Sequence, residues 1–80
     1  MISMAVKLYS TTWCSFCRMA KEFFRDKKIK FEDINVQEDQ EAAEEMIKKT
    51  GQSGVPVIDI DGKIIIGFNI EEIKKTLKLV

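Results

Sequence analysis

The succession of local patterns predicts an α/β domain over residues 1–80, with one mixed four-stranded sheet and three helices in the order β-α-β-α-β-β-α. Three observations carry this expectation. The strand-forming run "AVKLY" passes directly into a stretch whose apolar residues recur at three- and four-residue steps. Two later strand-like runs flank Asp61 and Gly62, the preferred dipeptide of a two-residue hairpin turn. The chain then closes on a capped amphipathic segment.

The first strand is expected over residues 5–9, leading into Ser10, Thr11 and Thr12. From Ser15 the period changes to that of a helix. Phe16, Met19, Ala20, Phe23 and Phe24 share one side, and Arg18, Lys21, Glu22 and Arg25 take the other. The charged stretch "DKKIK" ends it. "FEDIN" (31–35) reads as the second strand. "QEDQEAAEEMIKKTG" follows as a helix, with acids at its start, lysines at its end and Gly51 as its stop, an order that complements the helix dipole. Its narrow apolar side is Ala42, Ala43, Met46 and Ile47, and its charges read as a solvated face. "PVIDIDGKIII" supplies the hairpin, and Gly67 breaks its second run. The last helix takes Asn69 as its cap with Glu72 three residues on, and places Ile70, Ile73, Leu77 and Val80 on one face. A helix joining the first two strands makes them parallel with a right-handed crossover, and the last two strands form an antiparallel hairpin.

Composition narrows the function. Eighty residues hold a single small core. Thirteen basic side chains balance thirteen acidic ones, which argues against a nucleic-acid partner. The longest apolar runs, "VPVI" and "IIIGF", are strand-sized, so no membrane span is expected. "MISMAVKLYS" lacks the basic start and long apolar core of a signal peptide, so a cytoplasmic location is expected. A monomer is expected as well.

The two cysteines, Cys14 and Cys17, stand in "TTWCSFCRMA" at the first turn of the first helix. Zinc takes four ligands, mostly Cys and His, and this chain has two Cys and no His. A closed site would need carboxylates or a second subunit, which leaves a cluster shared across a dimer as the metal-binding alternative. A structural disulfide closing a loop of about four residues stabilises by only roughly 2 kcal/mol and ties down no distant element. Thiol–disulfide exchange, by contrast, uses this spacing directly. A sulfur at a helix N-terminus faces unpaired amide N–H groups that favour its anion. Arg18 and Lys21 add positive potential, and a second sulfur one turn deeper can attack a mixed disulfide formed at the first. A redox pair, with no bound cofactor or metal, is the expected chemistry. Trp13 and Phe16, which flank Cys14, belong either to an apolar docking rim or to the core. Pro56, the only proline, stands at a strand start, where its missing N–H is tolerated.

Assembled, "VKLYSTTWCSFC", "GVPVIDIDGKII" and the "GF" before the last helix resemble the glutaredoxin-like branch of the thioredoxin superfamily along nearly the whole chain. The resemblance implies a thioredoxin-like fold and a dithiol disulfide oxidoreductase, with Cys14 as nucleophile and Cys17 as resolving thiol. It implies a cis Val55–Pro56 bond facing the cysteine pair and a Val55 backbone free to pair with an extended substrate segment. It further implies a substrate groove that includes Thr11, Val55, Pro56, Gly67 and Phe68, beside which the rim reading adds Trp13 as a substrate contact. The chain departs from the glutathione-using members. Thr11 replaces a basic residue, Phe16 replaces a tyrosine, and "GFNIEE" puts Phe68, Asn69 and Ile70 where an acidic pair holds the glutathione amine. The "GF" followed by a polar residue is similar to the NrdH-redoxins, which are reduced by thioredoxin reductase and feed ribonucleotide reductase. Small carriers between a flavoprotein reductase and a peroxiredoxin are a further similar group. The implied partners are therefore a protein disulfide, of ribonucleotide reductase or a peroxiredoxin, and a reductant. That reductant is a flavoprotein passing on NADPH electrons or, failing that, glutathione.

Overall fold

In the computed structural model, which describes residues 5–78, seven elements follow one another as expected. They are β1 (Val6–Ser10), α1 (Ser15–Asp26), β2 (Glu32–Asn35), α2 (Gln40–Thr50), β3 (Val57–Ile60), β4 (Lys63–Ile66) and α3 (Ile70–Leu77). The sheet runs β2-β1-β3-β4. β1 is parallel to β2, with Ser10 opposite Asn35, and antiparallel to β3, with Tyr9 opposite Val57. β3 and β4 form the antiparallel hairpin.

The alternation of side chains along a strand divides the core between the two faces of the sheet. Val6 and Leu8 of β1 join Ile58 and Ile60 of β3 against Ala20, Phe24 and Ile73 from α1 and α3. Tyr9 and Val57 point the other way and pack with Met46 of α2. Asp59 shares that second face. Its buried carboxylate meets the Lys49 ammonium at 2.8 Å and accepts the Gly62 N–H at 2.8 Å. Lys49 also reaches Glu45 at 3.0 Å and the Tyr9 hydroxyl oxygen at 3.1 Å, clamping α2 to the sheet.

Local signals explain most boundaries. Asp61 and Gly62 both take positive φ, 48° and 94°, as the expected hairpin turn requires. Asn69 caps α3 by accepting the Glu72 N–H at 3.2 Å, and Gly51 ends α2 with φ 74°. Val80, expected on the apolar face of α3, lies outside the described residues.

Two expectations need correction. The second helix starts at Gln40, not at Gln37, because Asn35 turns the chain by accepting the Gln37 N–H at 2.9 Å, and Asp39 then caps the helix through the Ala42 N–H at 3.1 Å. The apolar side of α1 also splits into two stripes. Cys17, Ala20 and Phe24 face the core, whereas Phe16 and Met19 stand exposed. On the polar side of α1, Lys21 pairs with Asp33 of β2 at 2.9 Å.

Candidate active site

β1 delivers the chain to one end of the sheet, where the loop of Thr11, Thr12 and Trp13 leads into α1. That loop is tied to the end of β2: Asn35 donates to the Thr12 hydroxyl at 3.2 Å, and the Thr12 N–H donates to Gln37 Oε1 at 3.4 Å. Cys14 follows as the N-cap of α1, with extended backbone angles. Its Sγ accepts the Cys17 N–H at 3.1 Å, occupying the position that a serine or aspartate oxygen takes in an ordinary cap. The same sulfur lies 4.0 Å from the carbonyl oxygen of Val55.

The two thiols are free and differ in access. Cys14 is partly exposed, whereas Cys17 is 1% exposed beneath it. Burial pushes the Cys17 thiol up to about 12, and its hydrogen bond to Cys14 adds to the effect. The Thr11 backbone and the Lys21 ammonium pull more weakly the other way. Lys21 is held in place by Asp33, whose other carboxylate oxygen accepts the buried Ser10 hydroxyl at 2.8 Å.

Of the residues assigned to a groove, Val55 comes up against Cys14, and the Val55–Pro56 bond is cis as expected. Gly67 is drawn to the same loop, donating its N–H to the Pro56 carbonyl at 2.9 Å. Thr11 is half-buried behind the cysteine loop. Trp13 and Phe16 stand 87% and 61% exposed, which rules out core packing for both. Phe68 packs against α1. Its ring meets the Phe23 edge at 6.0 Å and, with Met19 and Glu22, lines a shallow cleft along the outer side of α1.

Neither the Asn35 clasp on the cysteine loop nor the Asp33–Ser10 contact was visible as a site in the sequence; the only hint was a pair of polar residues ending β1 and β2. Among the described residues, no group of three or more Cys, His, Asp and Glu side chains is placed to hold a metal ion. None of the helices among them is long and apolar enough to cross a membrane.

The model of the glutaredoxin family matches residues 6–65, which takes in the cysteine pair, the Val55–Pro56 loop and all but the end of β4. The chain belongs to the glutaredoxin family. Its relatives include an uncharacterized glutaredoxin-like 8.6 kDa protein in the rubredoxin operon of Clostridium pasteurianum, 49% identical over 73 residues that cover 91% of this chain and 97% of that one. The glutaredoxin-like protein NrdH of Lactococcus lactis is 34% identical over 70 residues, covering 88% and 96% of the two chains. Among solved structures, the glutaredoxin of Archaeoglobus fulgidus superposes with a TM-score of 0.82 at 26% identity, over 91% of this chain and 85% of that one. The four-stranded mixed sheet with its three helices is thus the thioredoxin-like fold, and the chain is a glutaredoxin- or NrdH-like redox protein with its two cysteines side by side.

Proposed function

We propose that this protein is a dithiol electron carrier that reduces protein disulfides, with Cys14 as nucleophile and Cys17 as resolving thiol. The observation that carries the reading is the unequal pair: an accessible sulfur bonded to an amide at the start of α1, above a buried thiol held protonated at neutral pH. The Cys14 thiolate attacks one sulfur of the substrate disulfide, forms a mixed disulfide, and expels the other sulfur as a thiolate. The anion facing Cys17 has then gone, and with it part of what kept that thiol protonated. Cys17 yields its proton to water or to the departing thiolate and attacks Cys14 Sγ, releasing the second substrate thiolate. Two electrons have passed to the substrate, and Cys14–Cys17 is left as a disulfide. The exposed Trp13 and Phe16 supply apolar contact around the attacking sulfur, and the Val55 backbone supplies polar contact beside it.

A flavoprotein reductase that passes on NADPH electrons is the reductant best suited to this site. Thr11 offers no charge to a glutathione carboxylate, and Phe68 turns towards Phe23 in the segment where glutathione would need acidic contacts. The NrdH relative supports the same choice. The protein substrate belongs to the class served by such carriers, a ribonucleotide reductase or a peroxiredoxin, in the cytoplasm.

Replacing Cys17 with Ser tests the roles. The variant should accumulate a covalent adduct through Cys14 when it meets a disulfide substrate. If no adduct forms, while Cys14→Ser leaves insulin reduction intact, the assignment is wrong. For the reductant, NADPH with a thioredoxin-reductase-type flavoprotein should reduce the oxidised pair much faster than millimolar glutathione does; the reverse order would shift the choice to glutathione.

A further inference from the structure

The loop between α2 and β3 carries hydrogen bonding that the proposed mechanism has not used. Gln52 folds its side chain onto Gly54: Oε1 accepts the Gly54 N–H at 2.7 Å, and Nε2 donates to the Gly54 carbonyl at 3.2 Å. One amide thus satisfies both backbone groups of a residue outside the sheet, as a neighbouring strand would. Gln52 is itself anchored, since its N–H donates to the Thr50 hydroxyl at 3.2 Å and that hydroxyl oxygen lies 2.8 Å from the Met46 carbonyl in the last turn of α2.

The Gly54 carbonyl and the Val55 N–H belong to one peptide unit. That unit is planar and trans, so its N–H points opposite to its C=O. Holding the carbonyl against Gln52 therefore aims the Val55 N–H away from Gln52. The next carbonyl along, that of Val55, is the one facing Cys14 Sγ, and Val55 makes no backbone–backbone hydrogen bond among the described residues. Gly54 is part of the same device. Its φ is not positive, and a Cβ there would sit 2.7 Å from Gln52 Oε1.

We infer that Gln52 is a positioning residue: its amide fixes the Gly54–Val55 peptide so that Val55, and not Gly54, offers its backbone to an extended substrate chain beside Cys14. This rests on the reading of Cys14 as the attacking sulfur. It favours disulfides carried on extended peptide segments, which can pair with Val55, over small disulfides that have no backbone to offer.

The test is a double-mutant cycle on insulin reduction with the full-length chain. Gln52→Ala removes both bonds, and Gly54→Ala pushes the amide off from the other side. Each should raise KM about fivefold, with kcat and the rate of Cys14 alkylation by iodoacetamide within twofold of wild type. The double variant should be no worse than either single, because both changes break one contact. Gln52→Met, which keeps the length of the chain and loses the hydrogen bonds, should match Gln52→Ala. An unchanged KM in the Gln52 variants overturns the inference, and so does a double variant whose KM is the product of two independent effects. A fall in kcat and in alkylation alongside the rise in KM also overturns it, since that marks a general disturbance of the site. A wild-type protein that fails to reduce insulin would instead overturn the electron-carrier reading.

Discussion

The inequality of the two thiols can be measured directly on the reduced protein with iodoacetamide at pH 7.5. Cys17, 1% exposed and pushed up to about 12 by burial and by Cys14, is ionised to only about 1 part in 30,000 at that pH. An ordinary free thiol near 8.5 is about one-tenth ionised, so ionisation alone slows Cys17 roughly 3,000-fold. A more basic thiolate is also more nucleophilic, and a Brønsted slope of about 0.4–0.5 returns about 25- to 55-fold of that. The expected rate for Cys17 is therefore at least about 50-fold below that of an exposed cysteine in an unstructured peptide, before any steric shielding. Initial rates can be followed by mass spectrometry, with peptide fragmentation assigning the adduct to Cys14 or Cys17. The Cys17 rate should climb about tenfold per pH unit up to about pH 10, as a thiol far from its midpoint must. A Cys17 rate within tenfold of that exposed peptide cysteine would show that burial does not hold this thiol protonated, and the proposed order of attack would lose its basis.

Two stability predictions accompany it. Lys49→Met removes the cation from the buried Asp59 carboxylate and should cost about 2 kcal/mol, lowering Tm by about 8–16 °C in circular-dichroism melts at pH 7. Burial works against the Asp59 charge, but the Lys49 and Gly62 hydrogen bonds outweigh it and hold the carboxyl below its ordinary value. This contribution is therefore fully present above about pH 4 and is lost as pH falls through the lowered value, so the gap between variant and wild type should close in acid. Lys28→Gly should raise Tm by about 4 °C, because Lys28 sits at φ 57°, where a side chain costs about 1–2 kcal/mol that exceeds the entropy cost of glycine. An unchanged or lower Tm would show that the left-handed turn is unstrained.

The Lys28 turn also marks where the sequence stopped being legible. After α1 the Ile29 N–H reaches back to the Phe24 carbonyl at 2.8 Å and the Lys28 N–H to that of Arg25 at 3.0 Å, a helix ending that glycine usually signals. No glycine stands there, so the charged stretch announced an end without its geometry. Asp61-Gly62, Asn69 and Gly51 were readable because each supplies its own local chemistry: a positive φ or a capping oxygen. The cysteine pair was readable for the same reason, its spacing being the spacing of one helical turn. What stayed hidden depended on contacts between distant segments. Periodicity placed Phe16 and Met19 with Phe24, but only packing against β1 and β3 decides which of two neighbouring stripes is covered. Lys21 with Asp33, Lys49 with Asp59, and the turn of Phe68 towards Phe23 follow from the way helices lie on the sheet. Gln52 was hidden differently: its partner is two residues away, but its use lies in the Val55 peptide it orients.

The depth of Cys17 also bears on how such a protein would age under peroxide. An oxidant reaching the outer sulfur gives a sulfenic acid, which is lost for good only if a second oxidant arrives before a thiol condenses with it. Here that thiol waits one helical turn below, shielded from the oxidant by the same packing that keeps it protonated. Damage at the surface would thus be diverted into the disulfide that the proposed cycle already undoes, and the inner sulfur would outlast many such encounters.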